Sequence, residues 1–236
     1  MSAFLATEAQ KMSAKIVQAD SDFGQRLAKT LDKSQENLVM SSYSVSSVLS
    51  MILLGASGQT QAQLAQGLGL SEERNFQQGY KEILSALKGN GDFTLNAANR
   101  VYYSTDTALG QDFIQSVKDY FLAKPVGTNF RKPKEARKAI NKWVKSKTSK
   151  KIQQLIAEGS ISGKTKMVLV NAIYFKGDWD IKFKKSKTRK AYFYVSPDQA
   201  VLADMMFIND MFKMNWIKEL KGNRIGPKSN HTRQMC

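Results

Sequence analysis

Apolar residues recur at helical spacing through the first two thirds of the chain and predict a largely helical body. In most of these segments they recur every three or four residues, which places them on one face of a helix. Residues 44–54 are apolar nearly all round, so we expect this helix to be buried. The predicted helices are 22–33, 44–54, 75–87, 111–122 and 133–146, and a capping box at Thr60 and Gln63 predicts the start of another short helix.

Strand patterns lie between and after these helices. Residues 93–103, 191–195 and 201–208 are rich in aromatic and β-branched side chains, which favour strands. The apolar run 167–175 is short and stops before a Lys-Gly pair, a pattern typical of a strand covered on both faces. Helices followed by a mixture of strands and helices indicate an α+β fold.

One amide side chain, Asn171, interrupts the apolar run 167–175. A buried amide without hydrogen-bond partners costs roughly 1–3 kcal/mol. We therefore expect a polar network inside the sheet at this position.

Four segments resemble the serpin family. Residues 165–183 read TKMVLVNAIYFKGDWDIKF, which is similar to the family's central strand and following turn. Residues 37–45 read NLVMSSYSV and resemble the start of a buried helix, although Ser42 stands where the family usually has Pro. Residues 96–103 (NAANRVYY) and 140–144 (INKWV) resemble a sheet strand and the helix that crosses the sheet. These matches follow the family's order over most of the chain.

The resemblance ends at about Lys221. We expect a partial serpin domain over 1–221, with helices packed around an incomplete, mainly antiparallel mixed sheet, and a divergent, disordered tail over 222–236. The family's later strands and its reactive-centre loop find no counterpart in these residues.

For the whole family, the resemblance implies suicide inhibition of serine or cysteine proteases. The protease cleaves an exposed loop, and the loop then inserts into the sheet as an extra strand. Because that loop is missing, we expect the chain as written to be a truncated, non-inhibitory serpin. Two alternatives stay open: a serpin fragment that binds a heparin-like polyanion, and a prematurely terminated product without function.

The resemblance also gives a joint role to Ser41, Ser44 and Asn171. In serpins the matching positions form a polar cluster, the shutter, beneath the main sheet, and a histidine from the C-terminal part completes it. This chain has one histidine, His231, and it lies in the unmatched tail. A working shutter and a purely structural network both stay open, and the missing member favours the structural interpretation.

Positive charge is concentrated in the second half of the chain. The net charge is +16, and residues 131–236 carry 25 Lys and Arg against 8 Asp and Glu. A row of lysines on the predicted helix 133–146 lies opposite its apolar face and is a candidate site for an acidic polysaccharide. A solvated cationic surface is the alternative that the pattern favours, and no base-reading motif predicts a nucleic-acid partner. The row consists of Lys134, Lys138, Lys142 and Lys145, and a second basic stretch joins it as part of the candidate surface: Lys182, Lys184, Lys185, Lys187, Arg189 and Lys190.

Catalytic and metal sites are not expected. With His231 in the tail and the one cysteine, Cys236, at the last position, the body offers neither a Ser-His or Cys-His pair nor a Cys/His metal cluster. We therefore predict no enzyme activity and no cofactor. No apolar stretch reaches the roughly 18 residues of a membrane span. The resemblance implies an extracellular protein, but no signal peptide is visible, so the cytoplasm is the alternative.

Overall fold

A computed structural model describes the protein over residues 2–31, 39–87, 93–179, 181–209, 213–217 and 222–226. The chain divides into two compact units, residues 1–176 and 177–236, where the sequence predicted one partial domain followed by a tail. The fold is α+β, as predicted.

The first unit consists of helices packed on a small sheet. The helices predicted at 44–54, 75–87, 111–122 and 133–146 are present, and their ends differ from the prediction by at most two residues. The elements in chain order are α1 Ser2–Thr30, α2 Ser42–Gly55, α3 Gly58–Leu68, α4 Phe76–Ala86, β1 Phe93–Ser104, α5 Gln111–Phe121, β2 Lys124–Thr128, α6 Pro133–Lys147 and β3 Met167–Gly177.

Helix α1 begins at Ser2, far earlier than the predicted start at residue 22. Met12 and Ile16 continue the apolar stripe of Phe23 toward the N-terminus, and Ile16 is fully buried. The prediction cut this stripe short. No helix in the described ranges, α1 included, is both long enough and apolar enough to cross a membrane.

Helix α2, which the pattern predicted to be buried, packs one side into the core and leaves the other partly exposed. Its apolar Val45 and Ile52 are 38% and 37% exposed. Serines share the inner face with Met51 and Leu53, and two of these serines find a polar partner on another helix. The Ser46 hydroxyl donates to Asp20 of α1 at 2.6 Å, and the Ser50 hydroxyl donates to the phenol oxygen of Tyr80 in α4 at 3.0 Å.

The sheet of the first unit has the order β2-β1-β3. Strands β1 and β2 are parallel, with Arg100 opposite Lys124. The Ser104 N–H donates to the Lys166 carbonyl at 2.8 Å, while the side chain of Asn99 meets that of Asn171. From Asn99 to Ser104 the residue numbers of β1 rise while those of their partners fall from 171 to 166, so β1 and β3 run antiparallel.

The two faces of this sheet are covered by different helices. Successive side chains of a strand point to opposite faces. Val101 of β1 therefore packs in the core that α1 to α5 share, while Tyr102 packs in a second core against α6. On β3, Leu169 and Val170 divide in the same way between the two cores.

The second unit is formed by two antiparallel hairpins. The strands are β4 Arg189–Ser196, β5 Gln199–Met205, β6 Lys213–Ile217 and β7 Gly222–Gly226. Hairpin β4–β5 confirms the strands predicted at 191–195 and 201–208, although the second ends at Met205. Residues 222–226, which the sequence placed in the tail, pair with β6. Residues 227–236, with His231 and Cys236, lie outside the described residues.

Candidate functional site

The polar network predicted at Asn171 is a pair of amides that joins β1 to β3. Asn171 Nδ2 donates to Asn99 Oδ1 at 2.9 Å. Asn99 is 5% exposed, and its own Nδ2 donates to the backbone carbonyl of Phe121 at the end of α5, also at 2.9 Å. The two amides therefore connect the central strand of the sheet to a helix on its face.

The amide pair leaves one buried acceptor unused. Asn171 Oδ1 is buried and has no hydrogen-bond partner in the part of the chain that the structure describes. A native structure seldom leaves a buried acceptor unpaired, so this atom marks a place where a donor from elsewhere would fit.

Ser41 and Ser44 form a separate pair at the start of α2. Ser41 caps the helix, because its Oγ accepts the backbone N–H of Ser44 at 3.2 Å. The Ser44 hydroxyl also donates to Ser41 Oγ at 3.0 Å. Within the described ranges, no hydrogen bond joins either serine to Asn171. The joint role of the three residues stays a prediction.

The sequence analysis did not assign Asn99 to the network. Its position was visible in the strand segment 96–103, but nothing local relates it to Asn171, which lies 72 residues further along the chain. The available signal was one polar residue on the same face of each of two strands. Using this signal requires the register of the two strands to be known.

Ser42, which departs from the family pattern, makes a bond that Pro could not make. Its hydroxyl donates to Asp20 Oδ2 at 2.8 Å, beside the bond of Ser46 to Asp20 Oδ1. The helices are close here, since a Cβ at Gly24 would lie 2.7 Å from the Ser42 Cβ. Asp20 therefore fixes α1 against α2, a role that the sequence analysis missed.

The lysine row lies on the outer face of α6. Its four lysines are exposed, and none of them forms an ion pair with a described residue. The acidic residue of this helix, Glu135, pairs with Lys132 at 3.5 Å. Ile140 and Val144 are fully buried on the inner face. The structure thus presents the row to solvent as one uncompensated positive surface.

Comparisons with known proteins show the family. A sequence model of the family described as Serpin (serine protease inhibitor) matches residues 18–225. The chain is 35% identical to leukocyte elastase inhibitor of Sus scrofa over 207 residues, which is 86% of this chain and 55% of that protein. Serpin B9 of Homo sapiens gives the same identity and coverage. The chain belongs to the serpin family.

Solved structures confirm the fold. A Manduca sexta serine protease inhibitor, serpin-12, superposes with a TM-score of 0.80 at 31% identity, covering 88% of this chain and 58% of that one. The chain thus has a serpin fold and spans a little more than half the length of the relatives it matches. The family match reaches residue 225, slightly beyond the expected end at Lys221.

Proposed function

We propose that the activity belonging to this chain's fold is inhibition of serine proteases, and that residues 1–236 do not inhibit by themselves. The observation that carries the proposal is the extent of the match, which covers 86% of this chain but only 55% of leukocyte elastase inhibitor. The family's reactive-centre loop, which the protease cleaves, finds no counterpart in these residues. Leukocyte elastase is the target that the name of this relative suggests.

The edge of β3 supports the proposal that further strands are needed for inhibition. Among the described strands of its sheet, β3 pairs with β1 on one side and with no strand on the other. An unpaired edge presents backbone N–H and C=O groups to which another strand can add. We propose that this edge receives the later strands and the inserted loop of a complete inhibitor.

The unused acceptor on Asn171 supports the shutter role of Ser41, Ser44 and Asn171. The family resemblance supplies a histidine donor from the C-terminal part, and Asn171 Oδ1 is a buried acceptor without a described partner. We propose that the three residues act as a shutter only when such a donor is present, and form a structural network otherwise.

The test of non-inhibition is incubation with proteases followed by denaturing electrophoresis. Residues 1–236 are mixed with leukocyte elastase, chymotrypsin or trypsin, with leukocyte elastase inhibitor as the positive control. We expect cleavage of the chain as an ordinary substrate and no SDS-stable band at the combined mass. A covalent complex with any of the three proteases would overturn this half of the proposal.

A second candidate function, favoured by the exposed lysine row of α6, is binding of a sulfated polysaccharide. At 1.5 Å per residue the row from Lys134 to Lys145 is about 16 Å long, which matches a linear polyanion better than a single small ion. Attraction of this kind is long-ranged and weakened by salt.

The polysaccharide proposal predicts that removing lysines of the row lowers the salt dependence of the affinity for heparin. We expect the double variant Lys138→Gln/Lys142→Gln to lower the slope of log affinity for heparin against log salt by about two, roughly one for each lost contact. Lys29→Gln/Lys118→Gln removes the same charge from exposed positions outside the basic half of the chain and is the matched control. Equal losses in both variants would mean that net charge alone attracts the polyanion.

The compartment is also a proposal. We propose an extracellular protein on the family resemblance, with the cytoplasm as the alternative. Immunoblots of medium and lysate from cells that make the protein naturally distinguish the two.

A further inference from the structure

Three aromatic and basic side chains meet on the sheet face that α6 covers. Arg100 and Tyr102 come from β1, and Trp143 comes from α6. The guanidinium carbon of Arg100 lies 4.7 Å from the centre of the Trp143 ring and 5.9 Å from that of Tyr102. The two rings are 6.4 Å apart in a T-shaped arrangement. We call these three residues the β1–α6 triad.

Each member of the triad has a buried polar atom without a partner. Arg100 Nε, the Tyr102 hydroxyl and Trp143 Nε1 have no hydrogen-bond partner within the described ranges. Tyr102 is 3% exposed and Trp143 is 8% exposed. Buried polar groups are nearly always paired, so three unpaired groups on three neighbouring side chains indicate a missing acceptor.

The chemistry of the triad favours an anion as that acceptor. Arg Nε and Trp Nε1 can only donate, and a tyrosine hydroxyl can donate as well. Burial raises the pKa of Tyr102 and the adjacent Arg100 lowers it in part, so the phenol keeps its proton at neutral pH. No carboxylate in the described part of the chain forms an ion pair with Arg100.

A second cation stands beside the triad. Lys124 of β2 is the register partner of Arg100, and paired residues of neighbouring strands share a face of the sheet. Lys124 is exposed and Arg100 is half-buried, so the positive end of the cluster can be approached from solvent. The forked guanidinium matches the oxygens of an oxyanion better than an isolated ammonium does.

We propose that the β1–α6 triad, with Lys124 at its mouth, binds a small tetrahedral oxyanion, phosphate or sulfate. The ion accepts hydrogen bonds from Arg100 Nε, the Tyr102 hydroxyl and Trp143 Nε1, and it neutralises the guanidinium between β1 and α6. This site lies beneath α6 and is distinct from the lysine row on the outer face of that helix.

The test is a titration of the full chain with sodium phosphate, and separately with sodium sulfate, at constant ionic strength balanced by chloride. The readout is the indole N–H signal of Trp143 in a ¹H–¹⁵N spectrum, assigned with the variant Trp143→Phe. We expect a saturable shift with either oxyanion. In Tyr102→Phe we expect about tenfold weaker binding, because the variant loses one hydrogen bond to a charged group.

Tyr43→Phe is the matched control. Its hydroxyl is likewise buried without a partner in the described residues, but it packs against the core on the other side of the sheet. We expect this variant to bind phosphate as the unmodified chain does. Arg100→Lys keeps the charge but loses the fork, and we expect it to bind at least tenfold more weakly.

The proposal is overturned if the unmodified chain shows no saturable shift, or if Tyr102→Phe and Tyr43→Phe bind phosphate equally. It is also overturned if Tyr102→Phe loses the native spectrum, since the hydroxyl would then have a structural partner within the protein. Equal binding of chloride in place of phosphate and sulfate would overturn it as well.

Discussion

Purified residues 1–236 are expected to form concentration-dependent oligomers through the β4–β5 hairpin. Strand β4 exposes aromatic side chains on both of its faces. Tyr192 and Tyr194 lie on one face and are each 68% exposed, and Phe193 lies on the other face and is 53% exposed. Exposed apolar patches of this kind mark interaction or aggregation surfaces. Each large apolar side chain gains roughly 1.5–3 kcal/mol on burial, so a few of them rival the whole stability of a typical domain, about 5–15 kcal/mol.

Two double variants test whether this hairpin is responsible. Tyr192→Lys/Tyr194→Lys places two charges on one face, and we expect it to move the chain toward a monomer in sedimentation velocity. Gln154→Lys/Ser160→Lys adds the same charge at exposed polar positions of the first unit, and we expect it to leave association unchanged. An unmodified chain that sediments as a monomer and melts in one cooperative transition at an ordinary mesophilic temperature would contradict the prediction.

Replacing Asn99 by leucine is expected to cost about 3 kcal/mol of unfolding free energy or more. The change leaves two groups without a hydrogen-bond partner, the Phe121 carbonyl and Asn171 Nδ2, which bond to Asn99 in the native structure. A buried group left without its partner costs about 1–3 kcal/mol. The loss is measured from urea unfolding midpoints in the Tyr192→Lys/Tyr194→Lys background, where association does not interfere.

Asn171→Leu is the matched comparison and is expected to cost about 1 kcal/mol. It leaves only Asn99 Oδ1 without its hydrogen-bond partner, and it removes Asn171 Oδ1, which is buried without a partner among the described residues. Equal costs for the two variants would mean that the amide pair does not connect sheet and helix as described. A larger cost for Asn171→Leu would mean that Asn171 holds the network and Asn99 is secondary.

The local sequence pattern was sufficient to predict an element whose limits depend only on its own residues. Helix α6 was predicted with nearly correct ends, because a Pro near its start and an apolar stripe ending in Trp143 and Val144 define it without reference to other elements. The outward position of Lys138 and Lys142 follows from the same periodicity.

Contacts between distant segments could not be read from local pattern. Ser46 and Ser50 face inward because Asp20 and Tyr80 lie opposite them, and both partners belong to other helices. The same limit applies to Asn99, whose bond to Asn171 depends on the pairing of β1 with β3. Hydrophobicity alone therefore did not show which polar residues α2 buries, and local pattern did not assign Asn99 as a partner of Asn171.

The most direct test of the proposed function is a chimera. Residues 1–225 are joined to the part of Sus scrofa leukocyte elastase inhibitor that lies beyond its matched region, and cooperative unfolding establishes that the product is folded. Incubated with leukocyte elastase, the folded chimera is expected to give an SDS-stable complex at the combined mass, while residues 1–236 give none. A folded chimera that elastase cleaves without forming this complex would contradict the proposal that this chain forms the body of a protease inhibitor.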